Sequence, residues 1–161
     1  YGAEPIDFAD CSVSKLCSFN MKKHLEKGQN KIGVVFNTDP HNKPGQHWMS
    51  LYMDLSGTNL EGIPAIYFFD SYGRKAGKEV SKLIEKVKKQ GKDCNNPVKY
   101  FYNDKGYQNK EAQCGMYSID FIKKMREGTR FRDYLKSGLS DKKMVEVRDE
   151  YFISPNEIKM N

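Results

Sequence analysis

Two β-rich runs separated by a cluster of turn residues constrain this chain more than any other feature. His47 to Leu55 reads HWMSLYMDL, and Pro64 to Asp70 reads PAIYFFD. Between them Ser56, Gly57, Thr58, Asn59 and Gly62 supply turn chemistry. The two runs are expected to pair as an antiparallel hairpin. With His47 set opposite Asp70, Met49 faces Phe68, Leu51 faces Ile66 and Met53 faces Pro64, an apolar face suited to a core. The other face pairs Trp48 with Phe69, Ser50 with Tyr67 and Tyr52 with Ala65. This register brings an imidazole and a carboxylate together at the open mouth of the hairpin.

The remaining elements follow from periodicity and punctuation. Ser18 to Lys27 reads as a short helix stopped by Gly28, with Leu16, Phe19 and Leu25 inward. Lys31 to Asn37 (KIGVVFN) reads as a buried strand, followed by a loop from Thr38 to Gln46 carrying Pro40, Pro44 and Gly45. Val80, Leu83, Ile84 and Val87 fall at i, i+3, i+4, i+7 and predict an amphipathic helix over Lys78–Gln90, ended by Gly91. Pro97 to Tyr102 (PVKYFY) reads as a fourth strand, and a polar loop runs from Asn103 to Gln113. A helix is expected over Cys114–Glu127, with Ile119, Ile122 and Met125 on its apolar stripe. Two short helices follow near Arg130–Lys136 and Asp141–Arg148. The first stretch, Tyr1 to Ser14, shows little periodicity and is expected to wrap the surface. The order predicts an α/β domain: a central mixed sheet of four or five strands flanked by helices.

Composition narrows the function classes. The 161 residues suit one domain, and 9 Phe, 10 Tyr and 1 Trp are enough for a core, which excludes disordered and low-complexity chains. No apolar run reaches the roughly 18 residues of a membrane span. The first residue is Tyr1 rather than Met, so the chain is expected to be a piece of a longer protein, one domain over 1–161 lacking an N-terminal region. Lys and Arg number 27 against 21 Asp and Glu, a net of +6. Much of the excess lies along one helix-like stretch (Lys82, Lys86, Lys88, Lys89, Lys92), so it reads as a solvated basic face. Any attraction to nucleic acid is expected to be weak and electrostatic. Cys11, Cys17, Cys94 and Cys114 are irregularly spaced, and three histidines are too scattered for a zinc site; no metal or cofactor is expected. The cysteines read as reduced and the compartment as intracellular.

Three residues suggest chemistry. Cys114 opens a predicted helix, whose N-terminus favours thiolate over thiol, and Gly115 leaves room for a substrate carbonyl beside the sulfur. A neighbouring His47 would deepen that preference, and Asp70 would orient the imidazole. Each also has an ordinary reading. Cys114 suits a small buried hydrophobe, His47 a hydrogen-bonded structural residue, and Asp70 a strand-ending Asx-turn. Asp54 is the nearest rival carboxylate, but it falls at the closed end of the hairpin.

The segments HWMSLYMDL, YFFDSYG and QCGMYSIDF, with Gln108 in the loop between, resemble the ubiquitin-like-protein protease and adenain superfamily of cysteine peptidases. The shared pattern is His-Trp opening one strand, Asp ending the next, and Gln six residues before a Cys-Gly that starts a helix. It covers roughly Ile32 to Met125. The resemblance implies His47 as general base, Asp70 as its orienting acid and Cys114 as nucleophile. It implies Gln108 and the Cys114 N–H as oxyanion donors, with Trp48 lining a narrow channel for a Gly-Gly tail. Gln113 stands where many members have Asp, and is a rival amide donor; its side chain is expected to cap the helix or meet solvent. FNTDPHNKPGQHW resembles the branch found in large double-stranded DNA viruses, which cleaves core polyproteins after Gly-Gly or similar sites during particle maturation. That branch places Asn37 near the active centre, although a strand-end turn residue is an equal reading. The expected function is therefore a thiol endopeptidase acting on a polypeptide, inside the host cell or the virion. The alternatives are an isopeptidase for SUMO or ubiquitin-like modifiers and, in a different class, a silent module that only binds a Gly-Gly tail.

Overall fold

Strands in this chain are long apolar runs because the sheet is covered on both faces. The computed structural model describes residues 1–109 and 113–152. Five strands, β1 (Gly2–Glu4), β2 (Lys31–Asn37), β3 (Trp48–Asp54), β4 (Ala65–Phe69) and β5 (Lys99–Tyr102), form one sheet in sequence order. β1 is parallel to β2, β2–β3–β4 are antiparallel, and β5 is parallel to β4. The helices are α1 (Met21–Glu26), α2 (Lys78–Asp93), α3 (Cys114–Arg126), α4 (Phe131–Leu135) and α5 (Asp141–Tyr151). The expected α/β architecture with a mixed sheet is present.

The period of two along the strands sorts side chains into two cores. Val34, Phe36, Met49, Leu51, Met53, Ile66 and Phe68 pack with Val80, Leu83, Ile84 and Val87 of α2. Tyr52, Ala65, Tyr67 and Phe69 pack with Tyr117, Phe121 and Met125 of α3 and with residues of α4 and α5. Gly33 lets α3 lie close, since a Cβ there would stand 2.7 Å from Ile122 Cγ2.

Several expectations need correction. The hairpin register is offset by two residues: Leu51 pairs with Phe68, Met53 with Ile66 and Asp54 with Ala65. Pro64 has no N–H, and the Asp54 carboxylate accepts from Ser56 N–H, Ser56 Oγ and Asn59 N–H, closing the turn before Pro64 can pair. An offset of two keeps every side chain on its face, so the apolar pattern survives. The N-terminal stretch is not all surface wrapping, since Gly2–Glu4 adds an edge strand. α2 runs through Gly91 instead of ending there; a Cβ on Gly91 would stand 2.6 Å from Asn96 O, so this glycine serves close packing. On α3, Ile119 is 40% exposed, and the inward face is carried by Tyr117, Phe121 and Met125. Cys11 and Cys17 form a disulfide, their Cα atoms 5.2 Å apart around the turn they close, so this pair is not reduced. Cys94 and Cys114 are free thiols. The loop expected over Asn103–Gln113 is described as far as 109; residues 110–112, like 153–161, lie outside the described residues.

Candidate active site

Three chain segments meet at one end of the inner strands of the sheet. His47 immediately precedes β3, Asp70 immediately follows β4, and Cys114 is the first residue of α3. All three are buried. His47 lies beyond the last paired residues, so it reaches Asp70 diagonally, not straight across the ladder. His47 Nε2 and Asp70 Oδ1 are 2.9 Å apart. The Tyr72 N–H donates to the same carboxylate oxygen at 2.8 Å, and the Tyr72 ring packs on the imidazole with centroids 4.8 Å apart.

Nε2 is committed to Asp70, and the Cys114 sulfur acts on the same imidazole as a second hydrogen-bonding and charged partner. Hydrogen bonding from the main chain of Trp48 and Gly115 also favours the thiolate. Burial alone would lower the His47 pKa, but hydrogen bonds to Asp70 and Cys114 and their negative charges outweigh it, and the imidazole is pushed up to about 9. Burial raises the Cys114 thiol, and the His47, Trp48 and Gly115 contacts more than reverse that, leaving it below the usual thiol range. The N-terminal end of α3 adds in the same sense. Opposite shifts in the two partners favour thiolate and imidazolium together.

Asp70 is held by its backbone. Asn103 Oδ1 accepts from the Asp70 N–H at 3.0 Å, and Asn103 Nδ2 donates to the Asp70 carbonyl at 2.7 Å. This clamp extends the sheet one rung by a side chain. Reading Asn103 as the start of a polar loop missed it, because nothing in the sequence pairs position 103 with position 70. The same loop meets the chain after β4 through two glycines. Gly73 has φ +74, and a Cβ there would stand 2.6 Å from Gly106 N.

Gln108 is buried against this clasp. Its N–H donates to Ser71 O at 3.0 Å, and its Oε1 accepts from Ser71 Oγ at 2.6 Å. Gln113 neither caps α3 with its side chain nor meets solvent; it is buried, and its Oε1 accepts from Arg148 Nη2 at 3.2 Å. Trp48 stands beside Gly115, whose added Cβ would be 4.0 Å from Trp48 Cδ1. With Asn37, Pro40 and Pro44, Trp48 lines a cleft of about 330 Å³. Asn37 pairs with Trp48 in the ladder, accepts from the Asp39 N–H at 2.9 Å and packs flush on Gly45, so it braces the loop leading into His47. A second, polar cleft of about 430 Å³ is lined by Gln46, His47, Tyr72 and Arg74. Asp54 lies at the other end of the hairpin, engaged in its turn. Thus His47, Asp70, Cys114, Trp48 and Gly115 converge, Gln108 is hydrogen-bonded to Ser71, the residue after Asp70, and Gln113 is drawn instead toward α5.

Comparisons with known proteins identify the family. A sequence model described as the Ulp1 protease family, C-terminal catalytic domain, matches residues 20–159. The chain is 33% identical over 152 residues to a protein of Acanthamoeba polyphaga mimivirus named "Putative thiol protease R355", covering 94% of this chain and 48% of that protein. It is 24% identical over 153 residues to "Cysteine protease S273R" of African swine fever virus, covering 94% and 55%. A sequence from another isolate of that virus, named "SUMO-1 cysteine protease S273R", is 25% identical over 131 residues. The crystal structure of the African swine fever virus pS273R protease superposes with a TM-score of 0.78 at 23% identity, covering 94% of this chain and 58% of that one, and so shares the fold. The chain spans about half the length of the curated relatives it matches.

Proposed function

Because the chain belongs to the Ulp1 protease family, by its match to the C-terminal catalytic domain, we propose that it is a cysteine endopeptidase cleaving polypeptides after Gly-Gly or similar small-residue sites. The observation that carries the proposal is the buried His47 imidazole 2.9 Å from the Asp70 carboxylate and interacting with the Cys114 sulfur, with Cys114 opening α3. Residues 1–161 act as a single catalytic domain, and their physiological substrate is a viral core polyprotein.

In this reading the Cys114 thiolate attacks the scissile carbonyl carbon. The carbonyl π electrons move to oxygen, where the Gln108 amide and the Cys114 N–H donate to the oxyanion; the first N–H groups of a helix lack intrahelical partners and are suited to this. His47 gives its proton to the leaving amine as the C–N bond breaks, leaving a thioester on Cys114. Water then attacks the thioester, giving its proton to His47, and the thiolate leaves. Asp70 holds the imidazole in orientation throughout. Trp48 and Gly115 form the wall past which a substrate without side chains would lie, and Asn37 sets that wall through the loop it braces.

A second reading, removal of SUMO-like modifiers, is favoured by the family description and by the name of one viral relative. Incubation with a Gly-Gly-X polyprotein peptide, and separately with SUMO and ubiquitin carrying C-terminal electrophilic probes, separates the two. Peptide cleavage without probe labelling supports the endopeptidase; labelling by SUMO alone supports the isopeptidase; neither leaves a silent binding module. Action inside the infected cell or virion is part of the proposal. The Cys11–Cys17 disulfide counts against a reducing compartment, so the redox state of that pair in purified particles tests it.

A further inference from the structure

The residue after Asp70 ties the acid side of the site to the loop that carries Gln108. Ser71 is 1% exposed. Its carbonyl accepts from the N–H groups of Tyr107 at 2.8 Å and Gln108 at 3.0 Å, and its hydroxyl donates to Gln108 Oε1 at 2.6 Å. A carboxamide has one end that accepts and one that donates, and the two are nearly the same size. Packing therefore selects poorly between its two orientations, and hydrogen bonding must decide. The 2.6 Å separation is typical of O–H···O and short for N–H···O, which identifies the end facing Ser71 as the carbonyl.

We propose that Ser71 is a positioning residue for the reaction: its hydroxyl fixes the Gln108 carboxamide with the NH2 end toward the developing oxyanion. The inference rests on the reading of Gln108 as an oxyanion donor. It adds that Gln108 works only when turned one way, and that the turn is set from β4. The same strand end thus presents Asp70 to His47 and, one residue later, orients Gln108. Oxyanion stabilisation depends on preorganisation, so a donor free to rotate loses much of its effect even though the residue remains.

The test is steady-state kinetics on one Gly-Gly-X peptide with the 161-residue chain, Ser71→Ala, Gln108→Ala and the double variant. Alongside, the rate of Cys114 alkylation by iodoacetamide is measured for each. Alkylation needs the thiolate but develops no oxyanion, so distortion of the site would change it and loss of amide orientation would not. Ser71→Ala is expected to lower kcat by about 10-fold or more, within the ~10²- to 10³-fold known for removing a donor outright, with KM little changed. The double variant is expected to be no slower than Gln108→Ala, and alkylation should be unaltered throughout. Normal turnover in Ser71→Ala beside a crippled Gln108→Ala overturns the role of Ser71 and leaves that of Gln108. Losses that multiply, or alkylation that slows with turnover, also overturn it. Normal turnover in Gln108→Ala removes the underlying reading of Gln108, and the Ser71 proposal with it.

Discussion

At the scale of single residues, the site depends on which groups share protons. Cys114→Ala should abolish peptide cleavage with an unchanged far-ultraviolet spectrum. His47→Ala should lose nearly as much, because the thiol keeps neither its base nor its imidazolium partner. Asp70→Asn should cost less, about 10- to 10³-fold in kcat, since its proposed task is to orient the imidazole and not to transfer the proton. The pH profile carries the sign. With His47 pushed up to about 9 and Cys114 lowered, kcat/KM should plateau between the two and fall as pH rises past about 9, where the imidazolium needed by the leaving amine is lost. In Asp70→Asn the support for His47⁺ weakens, so the alkaline limb should move to lower pH; an unmoved limb would assign it to another group. His-Trp, Asp and Cys-Gly are adjacent or end-of-element signals that single these residues out in the chain, and the family resemblance is what implies their roles. The place of Gln113 was not legible in the chain, since its partner Arg148 comes from α5 and no local pattern joins them.

At the scale of elements, the hairpin shows what period-two reasoning can and cannot resolve. Faces were readable, because a buried sheet needs apolar side chains at i, i+2 and i+4 on each side. Register was not, because an offset of two leaves every face intact and is decided by the wide turn that Asp54 closes. The clasp between β4 and the loop over 103–109 is of the same kind: Asn103, Ser71 and the Gly73–Gly106 approach are contacts between distant segments. Asn103→Ala strands the buried N–H of Asp70, whereas the Asp70 C=O keeps the Gly73 N–H as a donor. The substitution should lower stability by about 1–3 kcal/mol, the cost of one unsatisfied buried group, and reduce kcat as Asp70 drifts. Urea unfolding and kinetics on the same preparation check this; full activity at reduced stability would show that Asp70 does not need the clamp.

At the scale of the whole molecule, one sheet separates two cores, and the proposed catalytic groups sit at one end of its inner strands β3 and β4. Phe121 of α3 contacts Phe69, Phe131 and Tyr134 in the second core, so Phe121→Ala should cost about 3–5 kcal/mol. The disulfide belongs to the N-terminal segment over the other core. Its loop is short, so reducing Cys11–Cys17 should cost only about 2 kcal/mol of stability and leave kcat unchanged. The measurement that bears most directly on the whole account is the inactivation time course with iodoacetamide, following residual peptidase activity and the modified cysteine by mass spectrometry. Cys94 is the built-in control, because it is the other free thiol and is exposed. The account predicts that activity disappears in step with alkylation of Cys114, and that His47→Ala slows that alkylation at neutral pH. Activity that persists with Cys114 fully alkylated, or that tracks Cys94 instead, would contradict it.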